Sequence, residues 1–391
     1  MSDYVPLHIH TEFSIRDSTN KIKNYVAKCK EYGYQYASIS DHGNMSGGFK
    51  FYNECKKNDI IPILGQEFYY FTEDENSNVN YHLILYAKNN KGWENLCKLS
   101  SDAYINNFYK KPRTCKSMLS KFSEGLICTP ACCFGLSQQY LLNNEYDKAI
   151  EEIKALRSIF REDFYLEIAN HELEEEVIIR DQFRNIGNDL NIKTVLGLDS
   201  HYTNKDEQEL HSIFKNISYN SIGKDNDASF NGTNYHIYSP EDFDKLFDKD
   251  VINNSLELAS KCNISFKFTG YNLPLYSTPE KKDSYEHLKD LCYKGLKDKG
   301  LDTKKEYTDR LEFELEQIHL SCLEDYVLIV ADYINWAKNN DIPTGCGRGS
   351  SGASMVCYLT RITEIDPLVY DLPFARFLNS GRIMQYKFFE D

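Results

Sequence analysis

Short apolar runs alternate with amphipathic stretches over roughly the first half of the sequence, and no other feature restricts the fold as strongly. We interpret seven runs as strands, at residues 5–10, 36–40, 60–71, 81–87, 125–132, 163–168 and 193–198. Helical stretches separate or follow them, at residues 21–32, 47–57, 92–104, 136–142, 146–160, 172–189 and 206–215. Repeated alternation is typical of parallel β/α units, and seven strands favour an α/β barrel over a doubly wound sheet.

A different pattern follows this region. Residues 239–262 are predicted to form one helix, which begins with a serine cap, a proline at the first helical position and acidic residues in the first turn. A loop-like stretch at 271–284 interrupts the pattern, and helices are expected at 284–297, 307–320 and 324–340. We therefore predict two domains, residues 1–271 and 272–391.

Composition limits the class of protein. The chain has 391 residues, a net charge of −14 and a pI near 5.3, so any contact with nucleic acid must come from local basic patches. The N-terminus lacks a secretory signal, and no apolar run reaches the length of a membrane span. We expect a cytoplasmic protein that does not bind membranes and whose 12 cysteines are reduced thiols.

Ligand-type side chains cluster at the ends of the predicted strands. His8 and His10 in the run LHIH share a strand face, although two satisfied polar histidines would explain that motif alone. Similar positions are occupied by Asp17, His42, Glu67, His82, Cys132, Asp199 and His201. In a parallel barrel these ends meet at one face. Imidazole and carboxylate suit Mn or Fe, a thiol favours Zn, and several clustered ions are suited to phosphoester hydrolysis.

The motifs around these residues resemble the PHP family, named for polymerase and histidinol phosphatase. They are HIHTEFSIRD, SDHGN, GQEFY, YHLILYAKN, FYKKPR and GLDSHY. The likeness is greatest to the N-terminal PHP domain of bacterial DNA polymerase III alpha subunits, the C-family of replicative polymerases. This resemblance implies a distorted (β/α)7 barrel of the PHP type, followed by a smaller α/β segment that begins a polymerase palm.

The resemblance also implies a set of two to three divalent ions, Zn, Mn or Fe. One ion would be held by His8, His10, Glu67 and Asp199, a second by Glu67, His82 and Cys132, and a third by Asp17, His42 and His201. Catalytic roles are implied for Asp17, His42, Glu67 and Asp199. Because all nine positions are filled, the resemblance favours an active 3′–5′ exonuclease or phosphoesterase acting at a DNA primer 3′ end.

Some assignments stay open at this point. Cys133 and Cys128 compete with Cys132 as the thiol ligand, and Asp41 is expected to orient a ligand rather than to bind metal. The basic stretch at residues 110–113, which includes Arg113, is either a solvated loop or a phosphate contact. Ordinary structural roles are expected for His171, His211, His236, His287 and His319.

A glycine-rich stretch at residues 343–379 is the second specific feature. Glycines and serines there supply backbone N–H groups and hydroxyls for an anion, although a plain linker has the same composition. The stretch resembles the start of the family's palm, which implies that Arg348, Gly349 and Ser350 bind the triphosphate of an incoming deoxynucleotide, with Mg as the polymerase ion. The resemblance places two aspartates, one residue apart, shortly afterwards, whereas this sequence reads MQYKFFED.

We therefore expect no DNA synthesis by this chain unless a C-terminal polymerase part completes it, within a replisome at the nucleoid. Three functions are compatible with these features. The first is the N-terminal part of a polymerase alpha subunit with an active metal-dependent exonuclease site. The second is a metal-stabilised scaffold that docks a proofreading subunit or a polymerase fragment. The third is a stand-alone PHP phosphatase, which the palm-like segment disfavours.

Overall fold

The computed structural model describes residues 4–72, 79–221, 228–267 and 274–379. The chain divides into two compact units, Met1–Phe266 (unit 1) and Lys267–Asp391 (unit 2). The domain boundary predicted between residues 271 and 272 lies outside the described residues, as does the sequence MQYKFFED. Each unit has its own buried apolar core.

Unit 1 is built around short strands. They are β1 (Tyr36–Ile39), β2 (Ile61–Tyr70), β3 (Tyr81–Ala87), β4 (Phe108–Tyr109), β5 (Lys111–Thr114), β6 (Leu126–Pro130), β7 (Leu166–Ile168) and β8 (Thr194–Leu196). The order β1–β2–β3–β6 forms one continuous sheet, and β7 pairs with β8 in parallel. A bridge between Cys128 and Phe164 connects β6 to the segment that leads into β7.

The N-terminal segment, residues 7–10, closes this arrangement into a barrel. On one side the Ser40 amide donates to the Ile9 carbonyl at 2.8 Å, immediately after β1. On the other side the His10 amide donates to the Ser200 carbonyl at 2.9 Å, beyond the end of β8. Seven strand segments therefore surround a common interior, and the predicted distorted α/β barrel is confirmed.

Strand β3 departs from the all-parallel arrangement expected from the sequence. It runs antiparallel to both of its neighbours, β2 and β6. The chain between Tyr70 and Tyr81 is too short for the helical crossover that a parallel neighbour requires. The start of β3 therefore lies at the same barrel end as the carboxyl ends of the other strands.

The helices of unit 1 follow the predicted alternation closely. They are α1 (Ile22–Glu31), α2 (Gly48–Lys57), α3 (Asn90–Ile105), α4 (Lys116–Phe122), α5 (Leu136–Leu142), α6 (Tyr146–Phe160), α7 (Glu174–Leu190), α8 (Gln208–Ser218), α9 (Pro240–Leu246) and α10 (Lys249–Ser260). Local signals set their ends. The Asn89 side chain caps α3 by accepting from the Gly92 amide, and Asn191 ends α7 in the left-handed conformation.

The single helix predicted at 239–262 is wrong, because α9 and α10 are separate. The predicted start is correct: Ser239 accepts from the Asp242 amide, the Asp242 carboxylate accepts from the Ser239 amide, and Pro240 occupies the first turn. Phe247 then leaves the helical conformation, with φ −133° and ψ 148°, and is buried in the unit 1 core. Asp248 is extended and starts α10.

The regular elements in the described part of unit 2 are helical. They are α11 (Ser284–Asp298), α12 (Lys305–Leu320), α13 (Glu324–Asn339) and the short α14 (Met355–Leu359). Their apolar faces meet in a core that includes Leu311 and Met355, while the buried Glu314 carboxylate accepts from Arg310 and Ser354. None of the helices described in either unit has the length and apolar character of a membrane span.

Candidate metal centre

All nine predicted ligands lie at one end of the unit 1 barrel. Apolar neighbours such as Leu7 and Ile9 are fully buried in the core, while the rings of His8 and His10 each lie 3.2 Å from the carboxylate of Asp199. A cavity of about 570 Å³ opens there, lined by Asp17, His42, His82, Cys132, Asp199 and His201 among others. The structure thus brings together residues that are up to 193 positions apart in the chain, from His8 to His201.

The first group of donor atoms surrounds Asp199. Its Oδ1 lies 3.2 Å from Nε2 of His8 and 3.2 Å from Nε2 of His10. Oε2 of Glu67 lies 3.2 Å from the same His10 nitrogen and 3.6 Å from that of His8. His8 has a φ of +58°, so the two imidazoles converge without the regular strand alternation that the sequence suggested.

Glu67 belongs to a second group as well. Its Oε1 lies 2.5 Å from Nδ1 of His82, and Sγ of Cys132 lies 3.6 Å from that same nitrogen. Donor atoms of Glu67, His82 and Cys132 all lie within 4.8 Å of one another. Cys133 lines the cavity outside this group, and Cys128 is buried in the core. Of the three competing thiols, Cys132 therefore has the geometry of a ligand.

The third predicted group is arranged differently. Oδ2 of Asp17 lies 2.8 Å from Nε2 of His42 and 3.4 Å from Nε2 of His201. The histidines that do group closely are His10, His42 and His201, with donor atoms within 4.8 Å. The other oxygen of Asp17, Oδ1, accepts a hydrogen bond from Lys215. The sequence analysis did not identify Lys215.

Several donor atoms in the first two groups are buried and have no hydrogen bond of acceptable geometry. They are Nε2 of His8 and His10 and both carboxylate oxygens of Glu67. Nδ1 of His42 and Nε2 of His201 share this property. Buried polar atoms without partners are rare in folded proteins, and converging lone pairs of nitrogen, oxygen and sulfur are what a divalent cation binds. These residues therefore fit a metal ion.

A carboxylate behind His8 sets the orientation of its ring. Nδ1 of His8 lies 2.6 Å from Oε1 of Glu167, and Oε2 of Glu167 accepts from Thr129. A carboxylate that holds one imidazole nitrogen directs the other nitrogen toward a metal and increases its basicity. Glu167 was not identified from the sequence; its only signal there is an acidic residue inside the apolar run of β7.

Asp41 occupies an equivalent place behind His10, as the sequence analysis expected. Its Oδ1 accepts from the Ser14 hydroxyl at 2.7 Å, and that hydroxyl lies 3.0 Å from Nδ1 of His10. Two further hydrogen bonds come from the amide and hydroxyl of Thr11. Asp41 is therefore fully engaged in orienting neighbours and is not among the grouped donors.

The two central carboxylates are held as anions. Burial raises the pKa of Glu67, but the adjacent His82 and His42 outweigh that effect and keep the pKa well below its ordinary value. Burial acts on Asp199 in the same way, and His8 is the main neighbour that lowers its pKa below the usual range. Both side chains are thus ready to bind a cation at neutral pH.

His201 and Cys132 respond to the same environment in different ways. Burial, assisted by the nearby His10, lowers the pKa of His201 to about 4, so its ring is neutral and able to bind metal. Burial and the neighbouring Asp199 raise the pKa of Cys132 well above its usual value. Deprotonation of this thiol therefore calls for a cation beside it, as in metal sites with thiolate ligands.

The predicted phosphate-binding residues lie elsewhere. Arg113 places its guanidinium over the rings of Phe71 and Tyr109, at 4.4 and 5.1 Å, and is not among the residues that line the cavity. Its neighbour Lys111 lies over Tyr69, whose ring is 5.6 Å from that of His82. Of these two basic residues, Lys111 and Arg113, Lys111 therefore lies closer to the groups of donor atoms.

The other predicted contacts are in unit 2. Arg348, Gly349 and Ser350 are exposed, and Gly349 has a φ of +56° at the start of a short 3₁₀ turn, Gly349–Ala353.

Each of the five histidines that were expected to have ordinary structural roles contacts a protein group. The partners are Glu176 for His171, the Asp17 carbonyl for His211, Asp242 for His236, Tyr276 for His287 and Glu324 for His319.

Comparisons with known proteins agree with this geometry. The PHP domain family matches residues 6–171, and the family described as bacterial DNA polymerase III alpha NTPase domain matches residues 286–385. DNA polymerase III subunit alpha of Aquifex aeolicus is 39% identical over 97% of this chain and 35% of its own length. The protein of the same name from Borreliella burgdorferi is 37% identical over 98% of this chain and 34% of its own length.

The chain belongs to the DNA polymerase III alpha family. It spans about a third of the length of the curated relatives that it matches. Within unit 1 the PHP match includes seven of the nine candidate ligands, and Asp199 and His201 follow it in the chain. A solved two-domain protein of Bacteroides vulgatus, which contains a predicted PHP-like metal-dependent phosphoesterase, aligns with a TM-score of 0.33 at 16% identity over 53% of this chain and 55% of its own.

Proposed function

We propose that this chain is the N-terminal part of a replicative DNA polymerase III alpha subunit and that its PHP domain is a metal-dependent 3′–5′ exonuclease. One observation carries the proposal: ligand-type side chains from separate strand ends converge on one cavity, with buried donor atoms that have no hydrogen-bond partner. A structural ion requires one closed set of ligands. Glu67 instead belongs to two adjacent groups, which is suited to a pair of ions beside an open cavity.

Each group of residues has a distinct task in this proposal. His8, His10, Glu67 and Asp199 would hold one divalent ion, and Glu67, His82 and Cys132 a second. When bound, such ions (Zn, Mn or Fe) would supply a hydroxide from bound water and would neutralise charge on a phosphate. Glu167 orients His8, and the Ser14 hydroxyl with Asp41 orients His10, so both rings are fixed before substrate arrives.

The substrate in this proposal is the 3′ end of a DNA strand. The hairpin of β4 and β5 carries Lys111 over Tyr69, whose ring lies next to His82, and Arg113 over Phe71, outside the cavity lining. Both would contact the phosphate backbone of a DNA strand that leaves the cavity. Arg348, Gly349 and Ser350 would meet a deoxynucleotide triphosphate only in a molecule completed by a C-terminal polymerase part, with Mg as the ion. Other replisome subunits are the expected partners, in the cytoplasm at the nucleoid.

The test is a nuclease assay on the purified chain loaded with Mn²⁺ or Zn²⁺. We expect release of labelled nucleotide from 3′-labelled single-stranded DNA and a loss of about 100-fold or more in His8→Ala, since a ligand is removed. His287→Ala, in unit 2, is the matched control and keeps the wild-type rate. A primed template with deoxynucleotides, tested in parallel, is expected to show no extension.

Two outcomes would contradict the proposal. Metal that binds at the cavity and stabilises the chain, with no nucleotide released, would favour a scaffold for a proofreading subunit or polymerase fragment. Hydrolysis of small phosphate monoesters in place of DNA would favour a stand-alone phosphatase. Comparing 3′- and 5′-labelled strands separates exonuclease polarity from internal cleavage.

A further inference from the structure

Lys215 is a positively charged side chain in the wall of the cavity in unit 1. Of the described residues that line the cavity, it is the one lysine or arginine, and the others include four carboxylates, Asp17, Glu175, Glu176 and Asp199. Its side chain is only 9% exposed, although lysine is rarely buried without a partner. The partner is Oδ1 of Asp17, the residue predicted to complete a third metal site.

Helix α8 holds this lysine in place through two successive turns. His211, one turn before Lys215, has its Nε2 2.7 Å from the backbone carbonyl of Asp17. The Lys215 ammonium also lies 4.2 Å from the ring centre of Phe230 and 5.0 Å from that of Tyr219. Helix α8 thus contacts both the backbone carbonyl and the carboxylate of Asp17. These contacts fix the position of Lys215 beside the candidate metal centre.

The ion pair between Lys215 and Asp17 disfavours binding of a metal ion to the same carboxylate. Oδ2 of Asp17 faces His42 and His201, whereas Oδ1 is taken by the ammonium. A divalent ion on Oδ2 and an ammonium on Oδ1 would be a few ångströms apart in a buried site, where like charges repel strongly. Among the residues predicted for a third ion, His42 and His201 group closely with His10 rather than with Asp17.

We propose that Lys215 takes the place of a third metal ion in this chain, so that the cavity holds ions at the His8 and His82 groups and a fixed ammonium at Asp17. An ammonium has three N–H donors, and the Lys215 ammonium donates to Oδ1 of Asp17. Because Lys215 lines the cavity, a phosphate oxygen of a substrate bound there would accept from its remaining donors. This inference rests on the metal centre of the proposed function.

Counting bound ions tests the inference without any nuclease assay. The free Mn²⁺ signal in electron paramagnetic resonance gives the number of ions bound by the full chain during titration, and Mn²⁺ avoids nonspecific binding to thiols. We expect Lys215→Met to bind about one ion more than the wild type, because Asp17 is released as a ligand. Asp17→Asn added to Lys215→Met should remove that ion.

Two control variants make the count specific. Lys215→Arg keeps the charge and is expected to bind the wild-type number. Lys193→Met removes a lysine that pairs with Glu257 on the surface and should also change nothing. If Lys215→Met fails to fold, Asp17→Asn in the wild-type background still decides the question, since we expect it to lose no ion.

The inference is overturned if Lys215→Met binds no additional ion, or if Asp17→Asn alone loses one. The first result would show that Lys215 does not exclude an ion, and the second would place a third ion on Asp17 despite the lysine. These outcomes are independent of catalysis: a chain that binds the expected ions but releases no nucleotide contradicts the exonuclease proposal only. A nuclease that gains no ion in Lys215→Met contradicts the role of Lys215 only.

Discussion

Three of the candidate metal-binding histidines have one ring nitrogen facing the other donors while the second is held from behind. Glu167 holds His8, the Ser14 hydroxyl holds His10, and the carbonyl of Asp199 holds His201 at 2.7 Å. Such contacts fix the tautomer and the direction of the free lone pair. The precision of the centre therefore depends on residues that do not bind metal themselves.

Glu167→Gln tests this dependence. The amide keeps the size of the side chain but removes the negative charge beside His8, so we expect Mn²⁺ affinity to fall by about 10- to 100-fold. Isothermal titration calorimetry on the metal-free chain measures the change. Glu257→Gln, which alters an exposed glutamate, is the control, and an unchanged affinity in Glu167→Gln would contradict the orienting role.

Protonation of His42 is expected to make the stability of the metal-free fold depend on pH. Burial opposes protonation of its ring, but Glu67 and Asp17 raise its pKa to about 10 in the metal-free fold. Because this value exceeds the unfolded value of about 6.5, the stability that His42 contributes is complete below pH 6.5 and is lost as pH rises toward 10. We expect urea unfolding in a chelator to show falling stability over this range, and His42→Gln to flatten the decline. An unchanged pH profile in His42→Gln would contradict the assignment.

The residues found from the sequence and the residues missed differ in a physical way. The sequence singled out all nine candidate ligands, which the structure brings to one barrel end, because imidazole, carboxylate and thiol recur at strand ends. Glu167 and Lys215 were missed because nothing in the sequence around either residue indicates that it lies beside the candidate metal centre. Lys215 in particular is buried while Leu210 and Ile213 on the same helix are exposed, which is the reverse of ordinary amphipathic patterning.

At the scale of elements, the sequence predicted which segments are strands better than how they pair. The direction of β3 depends on the short connection after Tyr70, and periodicity carries no sign of strand direction. Because β3 is antiparallel to β2, His82 reaches the site from the start of its strand rather than from its carboxyl end. The sequence did not indicate this strand direction. The break at Phe247 was missed because a buried aromatic also suits a helix interior.

One close approach between elements gives a stability test. Gly92 in the first turn of α3 lies against Gly125, and a Cβ on Gly92 would be 1.9 Å from the Gly125 carbonyl oxygen. We expect Gly92→Ala to lower the free energy of unfolding by about 1–3 kcal/mol through overpacking. Urea denaturation measures this, with Gly345→Ala as the control because its added Cβ meets no atom within 4 Å. Equal stabilities would contradict the packing.

At the scale of the whole molecule, the two units have separate apolar cores, and the candidate ligands all lie in unit 1. A ligand that binds only the folded state stabilises the unit that contains its site. We expect calorimetry to show that chelation lowers the melting temperature of one transition and leaves a second unchanged. Leu311→Ala, in the unit 2 core, should shift the second transition alone; a shift of both transitions by chelation would contradict the assignment.

We propose that the barrel end of unit 1 is a catalytic metal centre rather than a structural one. The most direct measurement is the rate of nucleotide release from 3′-labelled single-stranded DNA at saturating Mn²⁺ for the wild type, Glu167→Gln and His8→Ala. We predict a graded series, with a rate near the wild type for Glu167→Gln once metal saturates and almost no release for His8→Ala. Identical rates in all three chains, or no release from a metal-loaded wild type, would contradict the claim.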